Sequence, residues 1–380
     1  MNHIMLKRWS ALITVFALLA SLVLVLFPVL PAQAAERDFE NVFSVQEQGA
    51  ITITGNTLQT CNQASSRCRA ALNDGDPAAS NNNFAMYDLD LDDDASTHNS
   101  SSADITMPAG SEVLFAGLFW GATPPSKNAA GRNTIKFKVP NGKYETVKAT
   151  KFDAQTGRYY DFSAYADVTQ QVKKGGSGTY WGADVVAIQN RSDRYAGWAL
   201  IVVYKNESLP LRDMQVFSGY KLIKGTSPTD VTISGFLTPA RGEVKAKIGT
   251  VVYEGDGSIS GDQMKLDDGD GNFKALSDDL NESGNYFRTR VTDNGKNRTD
   301  RNPAFLNNLA LDAKTVDASG YIKNGATSTT ARFQTNGDYY YPAAFTTQID
   351  LDRPEIVGNK TVATETGNEK ARVGEKLTYT

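Results

Sequence analysis

Apolar positions in this chain fall in short runs rich in Val, Ile, Thr, Phe, Tyr and Trp, broken by Gly, Asn, Asp and Pro, a pattern that predicts strands and turns. In TIKFKVPNGKYETVKAT, Ile135, Phe137 and Val139 alternate with Lys136 and Lys138, and Asn141-Gly142 is a tight-turn signal. That stretch reads as a hairpin with one dry face and one wet face. Two runs are apolar on both faces, Glu112 to Ala122 (EVLFAGLFWGA) and Gly197 to Tyr204 (GWALIVVY), and read as central strands of a sandwich. Further strands are predicted at Met214 to Leu222, Asp230 to Ser234, Val244 to Tyr253, Gln263 to Leu266, Ala331 to Gln334 and Phe345 to Ile349. The sum is an all-β chain, a β-sandwich or jelly roll.

Two short helical excursions are expected. In YADVTQQVKKGG, Asp167 or Thr169 is placed to cap a helix that Gly175-Gly176 ends, and in RNPAFLNNLALDA, Asn302 precedes Pro303 at a favoured first position. The tract from Asn73 to Ser102 is rich in Asn, Asp and Ser and predicts a long surface loop.

The first 34 residues carry a different pattern: Lys7 and Arg8, an apolar run from Ala11 to Leu30, and Ala32-Gln33-Ala34. This is the make-up of a secretory signal peptide cleaved between Ala34 and Ala35, with an uncleaved membrane anchor as the rival reading. Loss of Lys7 and Arg8 takes the net charge from −4 to −6. An acidic exported chain argues against nucleic acid as a partner. Cys61 and Cys68, the only cysteines, read as a small-loop disulfide, with a redox or metal pair as the sharper alternative.

Candidate chemistry is sparse. In DLDLDDDASTHNS, Asp88, Asp90 and Asp92 alternate as in the opening of a calcium loop, but Asp93 and Asn99 stand where that loop has Gly and Glu. Calcium is therefore the one cofactor suggested, set against a solvated acidic loop. DDGDGNFKALSDD reads better as a Gly-rich hairpin turn than as a second such loop. Glu254, Asp256 and Asp262 in YEGDGSISGD lie just past a strand end, and two of these carboxylates suit glycoside hydrolysis as an enzymatic alternative. One histidine, His98, follows the leader and no G-x-S-x-G elbow occurs, which disfavours a Ser-His-Asp enzyme and a zinc site. Trp181 and Tyr339-Tyr340-Tyr341 are candidates for stacking on sugars, whereas Trp120 and Trp198 read as core. Asn-x-Ser/Thr triplets begin at Asn99, Asn190, Asn206, Asn281, Asn297 and Asn359.

The stretches NSSSADITMPAGSEVLFAGLFWGA, YADVTQQVKKGGSGTY, DRYAGWALIVVY, SGFLTPARGEV, YEGDGSISGD and NGATSTTARFQTNGDYYYP, taken in order, resemble the N-terminal region of large exported surface proteins of Gram-positive and related bacteria. There such a module precedes Ig-like repeats of the DUF-eleven type or isopeptide-forming fimbrial domains. The resemblance implies three parts: a signal peptide over 1–34, a β-sandwich module over 35–352, and over 353–380 a linker with the truncated start of an Ig-like repeat. PEIVGNKTV and VGEKLTYT look like that start, and Lys360 corresponds to the lysine that forms the isopeptide in the fimbrial kind. The function implied is a non-catalytic binding, adhesive or structural tip module at the cell surface. Its partner would be an extracellular protein or glycan, and membrane or wall attachment would come only through the leader or a C-terminal anchor. YADVTQQV also resembles jelly-roll domains attached to glycosidases, which makes a carbohydrate-binding module the first alternative.

Overall fold

The computed structural model describes residues 36–73, 79–157, 159–309, 311–351, 361–367, 370–371 and 373–379. The leader, the Ala34/Ala35 cleavage site, the start of the linker and Lys360 lie outside the described residues. In chain order the first strands are β1 Arg37–Thr57, β2 Gln59–Cys61, β3 Met86–Asp88, β4 Ser100–Ile105, β5 Glu112–Ala122, β6 Thr134–Lys138, β7 Glu145–Lys148 and β8 Lys151–Ala154. Then come β9 Phe162–Asp167, β10 Gly178–Ala183, β11 Ala196–Lys205, β12 Leu211–Tyr220, β13 Thr229–Ser234, β14 Ala246–Tyr253, β15 Gln263–Asp267 and β16 Phe273–Ala275. The last are β17 Val291–Asp293, β18 Lys296–Asn297, β19 Arg301–Asn302, β20 Leu311–Asp317, β21 Ser328–Gln334, β22 Tyr341–Asp350, β23 Val362–Thr364 and β24 Leu377–Tyr379.

The chain is all-β and builds two sandwiches placed back to back. Eleven strands join in the order β18-β17-β20-β14-β22-β12-β1-β11-β5-β9-β8, and this sheet folds over at β1. The first half of β1 pairs with β12 through register shifts near Glu40 and Phe43, and residues from Gly49 onward pair with β11. Bulges of this kind bend a strand and let one sheet become two layers. The β11-β5-β9 half is covered by β19-β4-β10-β6-β7 over a core that includes Trp120, Trp198, Phe137 and Tyr180. The β20-β14-β22-β12 half is covered by β13-β21-β15-β16 over Phe217, Phe287, Phe333 and Phe345. The two halves meet through Phe119, Ile201, Val216, Val251, Tyr253 and Leu311.

That central seam is tight. A Cβ on Gly249 of β14 would lie 2.4 Å from Ile53 Cδ1 of β1, and one on Gly121 of β5 would lie 2.8 Å from Tyr253. Gln348 of β22 fastens the seam by accepting from the Ile51 amide at 2.8 Å and donating to the Ile51 carbonyl at 3.2 Å.

Several expectations hold. β6 and β7 form the predicted hairpin with Ile135 opposite Val147 and Asn141 at φ 58°, and β15 and β16 flank the Gly-rich turn. Helix Thr169–Gly175 forms, but its N-cap position is Val168 with no side-chain cap bond, and the Asp167 carboxylate accepts from the Thr169 amide one step ahead of it. Cys61 and Cys68 form the disulfide, and a seven-residue helix, Ser66–Leu72, occupies what reads in sequence as a polar loop. Beyond what the sequence pattern predicts, β23 and β24 pair antiparallel.

Two expectations fail. RNPAFLNNLALDA forms no helix among its described residues: Arg301–Asn302 is a strand, Leu309 has φ 62°, and the Asn308 side chain bonds both the amide and the carbonyl of Leu311. A side chain that satisfies the backbone locally competes with the helix ladder. The tract Asn73 to Ser102 is not one surface loop either, because it contains β3 and the start of β4, and Asn81, Asn99, Ser100 and Ser101 are buried. Asn99 is accommodated by a paired exchange with Val185, donating to its carbonyl at 2.8 Å and accepting from its amide at 3.1 Å.

Candidate functional site

At one end of the central seam the strands β9, β11 and β22 begin and β5 and β14 finish, and the connecting residues gather there. They surround a pocket of about 530 Å³ lined by Asp161, Asp193, Asp338, Tyr159, Tyr339, Tyr341, Asn82, Gln155, Lys224 and a few small or apolar residues. Asp161 directly precedes β9, Asp193 precedes β11, and Asp338 and Tyr339 precede β22. The walls thus belong to both sandwiches, and the volume falls within the range of small-ligand sites.

The polar side chains hold one another in place. Tyr339 donates to Asp193 at 3.1 Å, and Tyr341 donates to Asp161 at 3.3 Å. Thr123 donates to Asp161 at 2.5 Å. Arg194 pairs with Asp193 at 3.4 Å and lies 3.3 Å from the centre of the Tyr159 ring. Asp338 accepts the Asp256 amide at 2.9 Å, and Asn82 donates to the Asp256 carboxylate at 2.6 Å. Behind this wall Glu254 is 4% exposed and accepts from Asn81 at 2.9 Å. Glu254 and Asp193 both adopt the left-handed backbone conformation, with φ 63° and 61°, a strain that non-glycine residues tolerate only when their surroundings fix them.

Burial raises the carboxyls of this wall. It takes Asp161 up to about 6, against the opposing hydrogen bonds from Thr123 and Tyr341. Burial, with the neighbouring charge of Asp193, takes Asp256 up to about 7, and burial with Asp256 takes Asp338 up to about 9. Glu254 is pushed well above the usual range by burial, then by Asp256 and Asp161. Desolvation disfavours the charged form, so Asp338 keeps its proton at neutral pH, whereas Asp161 releases most of its own there.

Of the carboxylates singled out in sequence, Glu254 and Asp256 back this pocket. Asp262 accepts the Phe287 amide close to Asp312 and Lys314 and does not line the pocket. Asp88, Asp90 and Asp92 are engaged by neighbouring protein donors, and Asp90 and Asp92 share the Thr97 hydroxyl at 3.4 and 3.0 Å. Asp88 accepts from Gln59 and Gln189, Asp90 from Ser100 at 2.9 Å, and Asp92 from Thr97 and Tyr144. Among the described residues no group of three or more His, Cys, Asp or Glu side chains is placed to hold a metal ion. Asp92 to Asp94, Lys138, Trp181 and Asn302 instead line a second, shallower depression of about 670 Å³, where the Lys138 ammonium lies 4.9 Å from the Trp181 ring. Asn99, Asn206 and Asn281 are buried, whereas Asn190 is exposed.

Asp161, Asp193 and Asp338 are absent from the candidates the sequence offers, since each is a lone acid in an ordinary-looking turn. The available signal is positional: each lies within a few residues of an apolar strand start, in YDFSAYA, SDRYAGWAL and GDYYYPAAF.

No protein-family model matches the chain, and no curated protein matches it. Among solved structures the chain is similar to PNGase F, a glycosylasparaginase from Flavobacterium meningosepticum, at 11% identity and a TM-score of 0.22, covering 80% of this chain and 97% of that one. It is similar to the major capsid protein P2 of bacteriophage PM2 at 10% identity and a TM-score of 0.19, covering 70% and 97%. A second structure of PNGase F, a recombinant peptide:N-glycanase F, gives 11% and 0.21, covering 81% and 97%. Likenesses of this strength assign this chain neither a family nor an activity.

Proposed function

We propose that the protein is an exported surface module that binds carbohydrate non-covalently in the pocket at the end of the seam. The observation that carries this reading is the pocket lining. Asp161, Asp193 and Asp338 alternate with Tyr159, Tyr339 and Tyr341 beside Asn82, Gln155 and Lys224, with Leu222 the one large aliphatic side chain. A polyhydroxylated ligand offers many donors and acceptors at close spacing together with apolar C–H faces, and carboxylates, amides and tyrosine rings answer those features. The leader-like first 34 residues support a location outside the cell.

A glycan array probed with the full secreted chain tests the proposal, followed by calorimetric titration of the best oligosaccharide. Asp193→Asn and Tyr339→Phe are expected to weaken binding by tenfold or more each, since a lost hydrogen bond to a charged group costs about 1.5–3 kcal/mol. Absence of glycan binding, or undiminished binding by both variants, contradicts it.

A second reading, glycoside hydrolysis, draws on one observation: Asp161, which burial raises to about 6, stands in the same pocket as Asp193, which is paired with Arg194. Carboxyl groups in contrasting environments are what acid catalysis of glycosidic bonds requires. Release of reducing ends from the bound oligosaccharide, abolished by Asp161→Asn, would favour this reading over simple binding.

A further inference from the structure

Away from the pocket, in the middle of β20, Lys314 is completely buried, as are Asp312 and Asn281. The Lys314 ammonium nitrogen lies 2.7 Å from Asp312 Oδ1, 2.7 Å from Asn281 Oδ1 and 2.6 Å from the Tyr286 carbonyl oxygen. An amine this close to a carbonyl oxygen is no more than about 4 Å from the carbonyl carbon, given the length of a C=O bond. The other end of the same carboxamide is also held: Asn281 Nδ2 donates to Asp278 Oδ1 at 2.7 Å and to Thr292 at 3.2 Å. Asp278 Oδ1 further accepts the backbone amides of Leu280 and Asn281, while its Oδ2 is buried with no hydrogen-bond partner. The Tyr286 and Phe287 rings close over the amine at 4.9 and 5.4 Å and keep water out.

A nucleophile, an electrophilic carbon within about 4 Å of it and two carboxylates are therefore brought together in a dry cavity. We propose that Lys314 and Asn281 join through an internal amide bond, an isopeptide cross-link between β20 and the segment preceding β17. Asp312, held by the backbone amides of Arg288, Thr289 and Arg290, takes one proton from the Lys314 ammonium. The free amine adds to Asn281 Cγ. Asp278 carries the second amine proton across to Nδ2, the Cγ–Nδ2 bond breaks, and ammonia leaves, taking the proton held by Asp312 as ammonium. One C–N bond forms, one breaks, and no oxidant or cofactor is consumed. Burial lowers the Lys314 ammonium from its ordinary range, which eases the first proton transfer.

Intact-mass measurement of the purified chain, denatured and with its disulfide reduced, tests the proposal. The expected mass is lower than the sequence requires by one ammonia, and protease digestion should yield a single branched species containing Lys314 and Asn281. The full sequence mass, with the two peptides recovered separately, overturns the proposal. Asp278→Asn keeps the side-chain shape and an acceptor oxygen but cannot take up a proton and pass it on. Folded protein with that change should stay at full mass, and a cross-link formed without Asp278 overturns its assigned role. The wild-type mass decides the existence of the bond whether or not the variant folds.

Discussion

Asp338 holds its proton up to about pH 9 in the folded protein, whereas an unfolded aspartate releases it near pH 4. Between these values unfolding releases a proton, so stability falls as pH rises, and Asp256 and Asp161 add to the slope up to about 7 and 6. Asp338→Asn keeps an acceptor for the Asp256 amide and has nothing to ionise. Thermal unfolding between pH 5 and 9 should therefore show a flatter decline for this variant, with a gain at the alkaline end of a few kcal/mol at most. A decline as steep as the wild type's would mean that Asp338 is ionised in the folded state. The disulfide makes a second residue-scale case. Cys61 and Cys68 are seven positions apart, and closing so short a loop is worth about 2 kcal/mol, so replacing both by serine should lower denaturant stability by about that much.

At the scale of elements, what the sequence disclosed depended on what covers each strand. EVLFAGLFWGA and GWALIVVY are apolar on both faces because β5 and β11 lie between two layers, with Trp120 and Trp198 turned outward and Phe119 and Ile201 toward the seam. β22 is just as buried, but its run of Thr346, Thr347 and Gln348 hides this, since Gln348 is spent on the backbone of β1. β1 itself was illegible: its first half is largely polar, and the register shifts near Glu40 and Phe43 break the alternation that marks a strand. Pocket residues are hidden for a related reason, because proximity at the end of the seam comes from the fold and not from spacing in the chain. Gly249 offers a direct test of the seam. Gly249→Ala forces a methyl group against Ile53 and Thr346 and should cost about 1–3 kcal/mol, measured by denaturant unfolding. A neutral substitution would mean that the two halves are not packed this closely.

For the whole molecule, the back-to-back arrangement does two things. It buries both faces of the inner layers, and it leaves a recess where the two sandwiches end together. In the proposed reading the leader-like start and the disulfide go with export, and the recess between the two sandwiches, with its carboxylates and tyrosines, is the binding site. The most direct test is a crystal structure of the secreted chain soaked with the oligosaccharide that binds best. Sugar density is expected in the pocket, within hydrogen-bonding reach of Asp193 and Tyr339. Density only in the depression beside Trp181 and Asp92, or elsewhere on the surface, would contradict the proposed reading.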